Sequence, residues 1–217
     1  MQHDSATPQA VLWTGQPSVF GNLEVEPPGS ITYVFDETLK KNVWRYHKPA
    51  DSRSYRCESR NIRVNGYAYK WQKNKTYQIK WKSKITKIDS NYGDFVIFQW
   101  KSYPNGLQNY PILMTAVRDE VRFIYVDTAG KWHTLWTRKT LDGEWNSYCL
   151  TIHLSDEDQT GWIELKYNDV IQLIGGVEKF YGRTLDGSNE PKWGVYNRDN
   201  PAHEMEQYIG ELEVSTV

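Results

Sequence analysis

Along this chain apolar and polar residues alternate with a period of two, in short runs separated by turn residues. SYRCESR places Arg56, Glu58 and Arg60 on one face and Tyr55, Cys57 and Ser59 on the other. In FVIFQWK, Gln99 and Lys101 share a face while Phe98 and Trp100 point away from it. The same reading predicts strands at ITYVF (31–35), NVWRYH (42–47), SYRCESRNIRV (54–64), TYQIKWKSKI (76–85), GDFVIFQWKS (93–102), ILMTAVR (112–118) and EVRFIYVD (120–127). It continues through KWHTLWTRK (131–139), WNSYCLTIHLS (145–155), GWIELKYND (161–169), VIQLIGG (170–176), PKWGVYN (191–197) and YIGELEVST (208–216). Turns are marked by VNG (64–66), PNG (104–106), TAG (128–130) and LDG, which occurs at 141–143 and 185–187. No segment sustains a helical period over three turns, and 86–92 and 201–207 are at most short helical pieces. So many short strands in 217 residues predict one all-β domain over residues 1–217, built as two packed antiparallel sheets with one polar, wet face.

Composition agrees: 10 Trp and 15 Tyr favour strands over helices. The net charge of −1 supplies no global field to recruit nucleic acid or an anionic membrane, so any cationic site must be local. No apolar run reaches the ~18 residues of a membrane span. The first residues, MQHDSATPQA, lack the apolar core of a signal peptide, which fits either a cytosolic protein or a secreted one after processing. The sequon Asn74-Lys75-Thr76 favours secretion. Cys57 and Cys149 fit one disulfide or two buried thiols, and neither has the histidine partner of a nucleophile.

Three polar-face segments carry the candidate chemistry. Arg56-Cys57-Glu58-Ser59-Arg60 sets two guanidiniums around a carboxylate, Gln99-Trp100-Lys101 pairs an amide with an ammonium, and Lys192, Gly194 and Tyr196 alternate within PKWGVYN. Singly, each reads as an ion-pair ladder, ordinary alternation or an edge strand. As an ordered set they resemble the three motifs of the β-jelly-roll alginate lyases, R-S-E-L-R, Q-I-H and Y-F-K-A-G-x-Y-N-Q. FQWKSYPNGLQNYPILM is similar to the corresponding region of the glucuronan lyases of polysaccharide lyase family 20, which carry Q-W-K in place of Q-I-H. The resemblance implies a jelly roll with a concave cleft, secretion, an anionic polysaccharide as partner and, as in some members only, a structural calcium ion away from the cleft. No cofactor is expected for catalysis. A monomer is expected.

That chemistry is β-elimination: a base removes the C5 proton of a uronate, O4 leaves, and a 4,5-unsaturated sugar results. Donors must stabilise the charge that builds on the C6 carboxylate, a task suited to Gln99 and to Arg56 or Arg60. Tyr196 can serve as both base and acid if cations such as Lys192, Arg60 or Lys101 lower its pKa from about 10. One residue in both roles requires C5–H and O4 on the same side of the ring, as in glucuronate and mannuronate but not guluronate. Lys101 stands where the alginate-lyase motif has histidine, and His47 is the candidate imidazole in its place. Lys101, Lys192, Glu58, Gln108 and Asn109 are candidate substrate contacts, with Lys82, Arg63 and Arg138 for outer subsites. Gln108 and Asn109 either bind sugar hydroxyls or tie down the loop after PNG.

The expected activity is endo-cleavage of β-1,4-linked polyuronate, glucuronan foremost. Polymannuronate cleavage and a non-catalytic, polysaccharide-binding jelly roll are the alternatives. The paired carboxylates of a retaining glycosidase are missing from the sequence, since Glu164, Glu211 and Glu213 are isolated. No cluster has catalytic-zinc spacing. Oxygen-rich stretches such as SDEDQ (155–159), or the segments around Glu24, Glu26, Glu211 and Glu213, are the places for calcium.

Overall fold

The computed structural model describes residues 10–15, 20–87, 95–199 and 202–217, with residues 20–22 described by their backbone alone. The strands, in chain order, begin with β1 (Ala10–Thr14), β2 (Phe20–Val25), β3 (Ser30–Asp36), β4 (Lys41–Lys48), β5 (Arg56–Val64) and β6 (Tyr67–Ala68). The central ones are β7 (Thr76–Thr86), β8 (Phe95–Ser102), β9 (Ile112–Val117), β10 (Glu120–Val126), β11 (Trp132–Lys139) and β12 (Trp145–His153). The last are β13 (Trp162–Tyr167), β14 (Val170–Ile171), β15 (Phe180–Tyr181), β16 (Asn189–Tyr196) and β17 (Met205–Thr216). Among the described residues there is no helix. Strands pair antiparallel into two sheets, one ordered β14-β13-β12-β7-β17-β4-β3 and the other β11-β10-β9-β8-β16-β5-β2. This is the expected jelly roll.

The side-chain period builds the core. Along β7, Tyr77, Ile79, Trp81, Ser83 and Ile85 are buried while the residues between them are partly exposed, so the first sheet has one dry and one wet face. Trp81 stacks on Phe98 of the opposite sheet, with ring centroids 4.9 Å apart and planes 16° apart. Trp71 meets Trp100 edge-on at 4.9 Å. Such offset and edge contacts add about 0.5–1.5 kcal/mol each beyond area burial. By contrast, β9 is buried at every residue and β16 at all but Tyr196, because side chains and loops also cover the second sheet's outer face.

Most predicted strands form within a few residues of their expected limits. VIQLIGG contributes only Val170–Ile171, after which Ile174 and Val177 make an isolated bridge. The expected helical piece at 86–92 falls largely outside the described residues, and the one at 201–207 gives way to β17 from Met205. The open question of the cysteines closes on two free thiols. Cys57 points into the core from one sheet, where burial pushes its thiol up to about 12. Cys149 lies opposite Lys80 and Lys166 in the other sheet and is only partly buried.

Two turn sequences meet at one end of the neighbouring strands β8 and β16. The buried carboxylate of Asp186, from the second LDG, accepts the backbone N–H groups of Gly106 at 2.7 Å and Leu107 at 3.0 Å, fastening the PNG loop. Burial alone would raise the Asp186 pKa, but those amides and Arg183, at 2.8 Å, bring it from 3.8 to about 2. The carboxylate therefore stabilises the fold above about pH 4, and that contribution fades as pH falls toward 2. Asp186→Ala is expected to lower the urea-unfolding free energy at neutral pH by about 3 kcal/mol. The deficit should shrink when the measurement is repeated in acid; a deficit independent of pH would contradict this account.

Candidate functional site

The three polar segments fall on three adjacent strands of the second sheet, with β16 between β5 and β8. Register places Lys192 between Arg60 and Gln99, Gly194 beside Glu58, and Tyr196 between Arg56 and Val96. Gly194 marks a register shift of β16 against β8 and has φ +128°. A Cβ there would lie 2.2 Å from the Cys57 carbonyl oxygen, so the backbones of β5 and β16 approach closely only because this residue is glycine. The outer face of these strands forms an open cleft of about 670 Å³, lined by Glu24, Arg56, Glu58, Gln99, Lys101 and Lys192 on its charged side. Tyr103, Asn109, Tyr196 and Arg198 line it as well.

Glu58 anchors the floor. Its side chain is 2 % exposed, and its carboxylate accepts from the Gln99 amide at 2.6 Å and from Lys192 Nζ at 2.8 Å. Lys192 also donates to Glu24 at 2.9 Å. Arg56 bonds the same Glu24 oxygen and lies 3.9 Å from Glu58. Burial alone would discharge Lys192, yet Glu58 and Glu24 hold its pKa above the ordinary lysine value. Burial pulls the Lys101 ammonium down, as does the charge of Lys192 nearby. Its Nζ bonds Asn109 Oδ1 and sits 4.7 Å over the Tyr103 ring.

Tyr196 has different neighbours from those its strand position suggested. The Arg56 guanidinium lies 5.1 Å from its ring centroid and Tyr55 packs edge-on at 6.0 Å. Burial raises the Tyr196 pKa above 10.0, outweighing the pull of Arg198 and Arg56. Lys192 is instead committed to its two carboxylates. Arg60 turns aside, pairing with Glu190 at 2.7 Å under the Tyr103 ring, so Arg56 is the guanidinium that reaches the cleft.

Other expected site residues lie elsewhere. His47 is on β4 of the first sheet, between inward-facing Tyr46 and buried Lys48, so its ring points to that sheet's outer face and meets Glu204 at 2.9 Å. It is not in the cleft. Lys82 is on β7 of that same sheet and pairs with Glu211 at 2.9 Å. Gln108 is buried with its amide donating to the Val126 carbonyl at 2.6 Å and the Tyr125 hydroxyl at 3.2 Å, so it ties down the loop. Glu24 and Glu190 complete the charge network unannounced, since neither belongs to a recognisable motif. Glu24 alone had a signal, its neighbour Glu26, and that suggested a cation ligand.

Within the segments anticipated for calcium, three carboxylates meet lysines. Asp156 pairs with Lys73 at 2.6 Å, Glu211 with Lys41 at 2.6 Å, and Glu213 with Lys80 at 3.0 Å. Among the described residues, one metal-like cluster brings ligand atoms of His47, Glu204 and Glu206 within 4.8 Å of one another. Arg45, Thr86 and Tyr208 already bond Glu206, and Lys87 pairs with Glu204 at 3.0 Å. With two cations and an imidazole in place, that donor set does not fit calcium, which takes six or more free oxygens (range ~6–8).

No family model matches the chain, and no curated protein matches it in sequence. Solved structures do match its fold. An alginate lyase of polysaccharide lyase family 7 superposes with TM-score 0.61 at 17% identity, over 85% of this chain and 82% of that one. The alginate lyase from Corynebacterium sp. gives 0.63 at 12%, over 96% and 93%. The receptor binding domain of botulinum neurotoxin type G gives 0.55 at 11%, over 95% of this chain and 46% of that one. At such identities the likeness is one of fold, and that fold is shared by lyases and a binding domain alike.

The ion network makes its own forecast. Lys192→Met leaves Glu58 and Glu24 without their shared cation and is expected to cost roughly 3–5 kcal/mol in urea unfolding. Adding Glu58→Gln should recover part of that loss. Strict additivity of the two substitutions would show that the pair is not coupled.

Proposed function

We propose that the protein is an endo-acting polysaccharide lyase that cleaves β-1,4-linked, glucuronate-containing polyuronate, with glucuronan as the reference substrate. One observation carries this reading: Arg56, Gln99, Lys192 and Tyr196, far apart in sequence, line one cleft on three neighbouring strands. A substrate carboxylate over β8 and β16 would take up the second N–H of the Gln99 amide and the charge of Arg56 and Lys192. Glu58 positions Gln99 and Lys192 for that task rather than touching substrate itself.

Tyr196 is then the acid and base. Its phenolate takes the C5 proton, the electron pair forms the C4–C5 double bond, the C4–O4 bond breaks, and the phenol returns its proton to O4. The syn geometry this requires favours glucuronate or mannuronate over guluronate. A non-catalytic polysaccharide-binding role is the second reading, favoured by the half-buried phenol that Arg56 and Arg198 do not bring below 10.0.

Absorbance of the unsaturated product decides between the two. Glucuronan should give signal, polyguluronate should be the poorest polymer, and Tyr196→Phe should lose at least about a hundredfold in rate. No product from any polyuronate leaves the binding reading. Because the Tyr196 pKa is raised, its phenolate is a small fraction at neutral pH that grows about tenfold per pH unit, so kcat/KM should climb by about tenfold per unit through the neutral and mildly alkaline range. Replacing Arg198 by Ala removes a charge that pulls the phenol down, so the climb should move to higher pH.

A further inference from the structure

The cleft has two unlike halves. Its cations, Arg56, Lys101, Lys192 and Arg198, come from β5, β8 and β16 and the turn after β16. Beyond β8 the floor changes character: Gln99 is followed across the sheet by Leu113 and then Ile124. Val96, Leu113, Ile124 and Val126 form a hydrophobic cluster of their own, separate from the inter-sheet core, with Tyr110 and Tyr196 packed against it. Trp132, paired with Val126 in register and 44 % exposed, stands at the far side of the cleft, edge-on to Tyr110 at 6.1 Å. Arg122 shares this outer face but lies by Glu120, at 3.5 Å, and does not line the cleft.

A chain lying across the strands passes about one sugar unit per strand spacing of ~4.8 Å. With a uronate over β16 and β8, the next units therefore pass over Leu113, itself 1 % exposed, and meet the Tyr110–Trp132 corner. A second carboxylate there would give up water for aromatic carbon while the described cations that line the cleft lie on its other half, which is strongly unfavourable. A neutral pyranose has an apolar ring face that suits an exposed indole edge and an aliphatic floor.

We propose that this half of the cleft is a subsite for an uncharged sugar, so that the preferred substrate is a mixed polymer in which glucuronate is flanked by a neutral hexose. The proposal rests on the uronate reading of the charged half, and narrows it from a homopolymer to a mixed chain. Trp132, with Tyr110 packed edge-on against it, is its specificity-determining residue.

Calorimetric titration of the Tyr196→Phe protein, expected to bind without turnover, tests this with two β-1,4-linked tetrasaccharides. One is all glucuronate and the other alternates glucuronate with glucose. The mixed chain is expected to bind about tenfold tighter. The ratio should fall toward one in a background that also carries Trp132→Ala, at a half-exposed position whose truncation spares the core. Equal or tighter binding of the glucuronate tetramer overturns the proposal, as does a ratio that Trp132→Ala leaves untouched or the failure of both sugars to bind. If the binding preference holds while the wild-type protein forms unsaturated product from neither polymer, β-elimination falls and the subsite stands. If product forms without a binding preference, the subsite alone falls.

Discussion

A buried carboxylate organises this molecule's polar face. Glu58 sits on β5, one strand in from the β2 edge of the second sheet, with 2 % of its side chain exposed, and such a charge survives only if partners replace the water it has lost. Lys192 and Gln99 do so, from the two strands next along the sheet. Their commitment fixes the rest: Lys192 stays charged, Glu24 is drawn in as its second acceptor, and Arg56 closes over Glu24. Arg60 is left to Glu190. The cleft floor is thus a preorganised array of donors whose geometry is set before any ligand arrives.

The same array explains why the two sheets differ. Along β7 every second residue meets solvent, because lysines on a wet face need no cover. Along β16 the outward positions are occupied by groups that satisfy each other, so the strand is buried on both faces although it is polar on one. On β9 burial of the outer face is achieved differently, by the aliphatic cluster around Leu113. A single sheet therefore presents charge on one side of β8 and hydrocarbon on the other, and β8 itself carries both, Val96 at one end and Gln99 and Lys101 further along.

How far the chain announces this can be judged from particular residues. The alternation in RCESR correctly sorts Arg56 and Glu58 from Cys57 and Ser59, because period two is a property of any extended backbone. Gly194 is legible only as a member of its face, and the close approach of β5 and β16 that forbids a Cβ there came from the structure. His47 was not legible: its alternation places it on a polar face but cannot say of which sheet. Cys149 fails for the same reason, opposite Lys80 on a wet face rather than in the core. Glu24 lay on a strand whose pattern was too weak to predict, so its part in the ion network was invisible.

By itself, then, the sequence determined the local order: which segments are strands, which residues share a face, and where the chain turns, all of which depend on neighbours a few positions apart. The partnership of Glu58 with Lys192, 134 positions later in the chain, was decided only by tertiary structure, as were the removal of His47 to the other sheet and the pairing of acidic loops with lysines. The physical reason is that burial sets the strength of a charge–charge contact, and burial is a property of two packed sheets. A strand's pattern says that a face is polar; the strands laid beside it say which charges that face must satisfy.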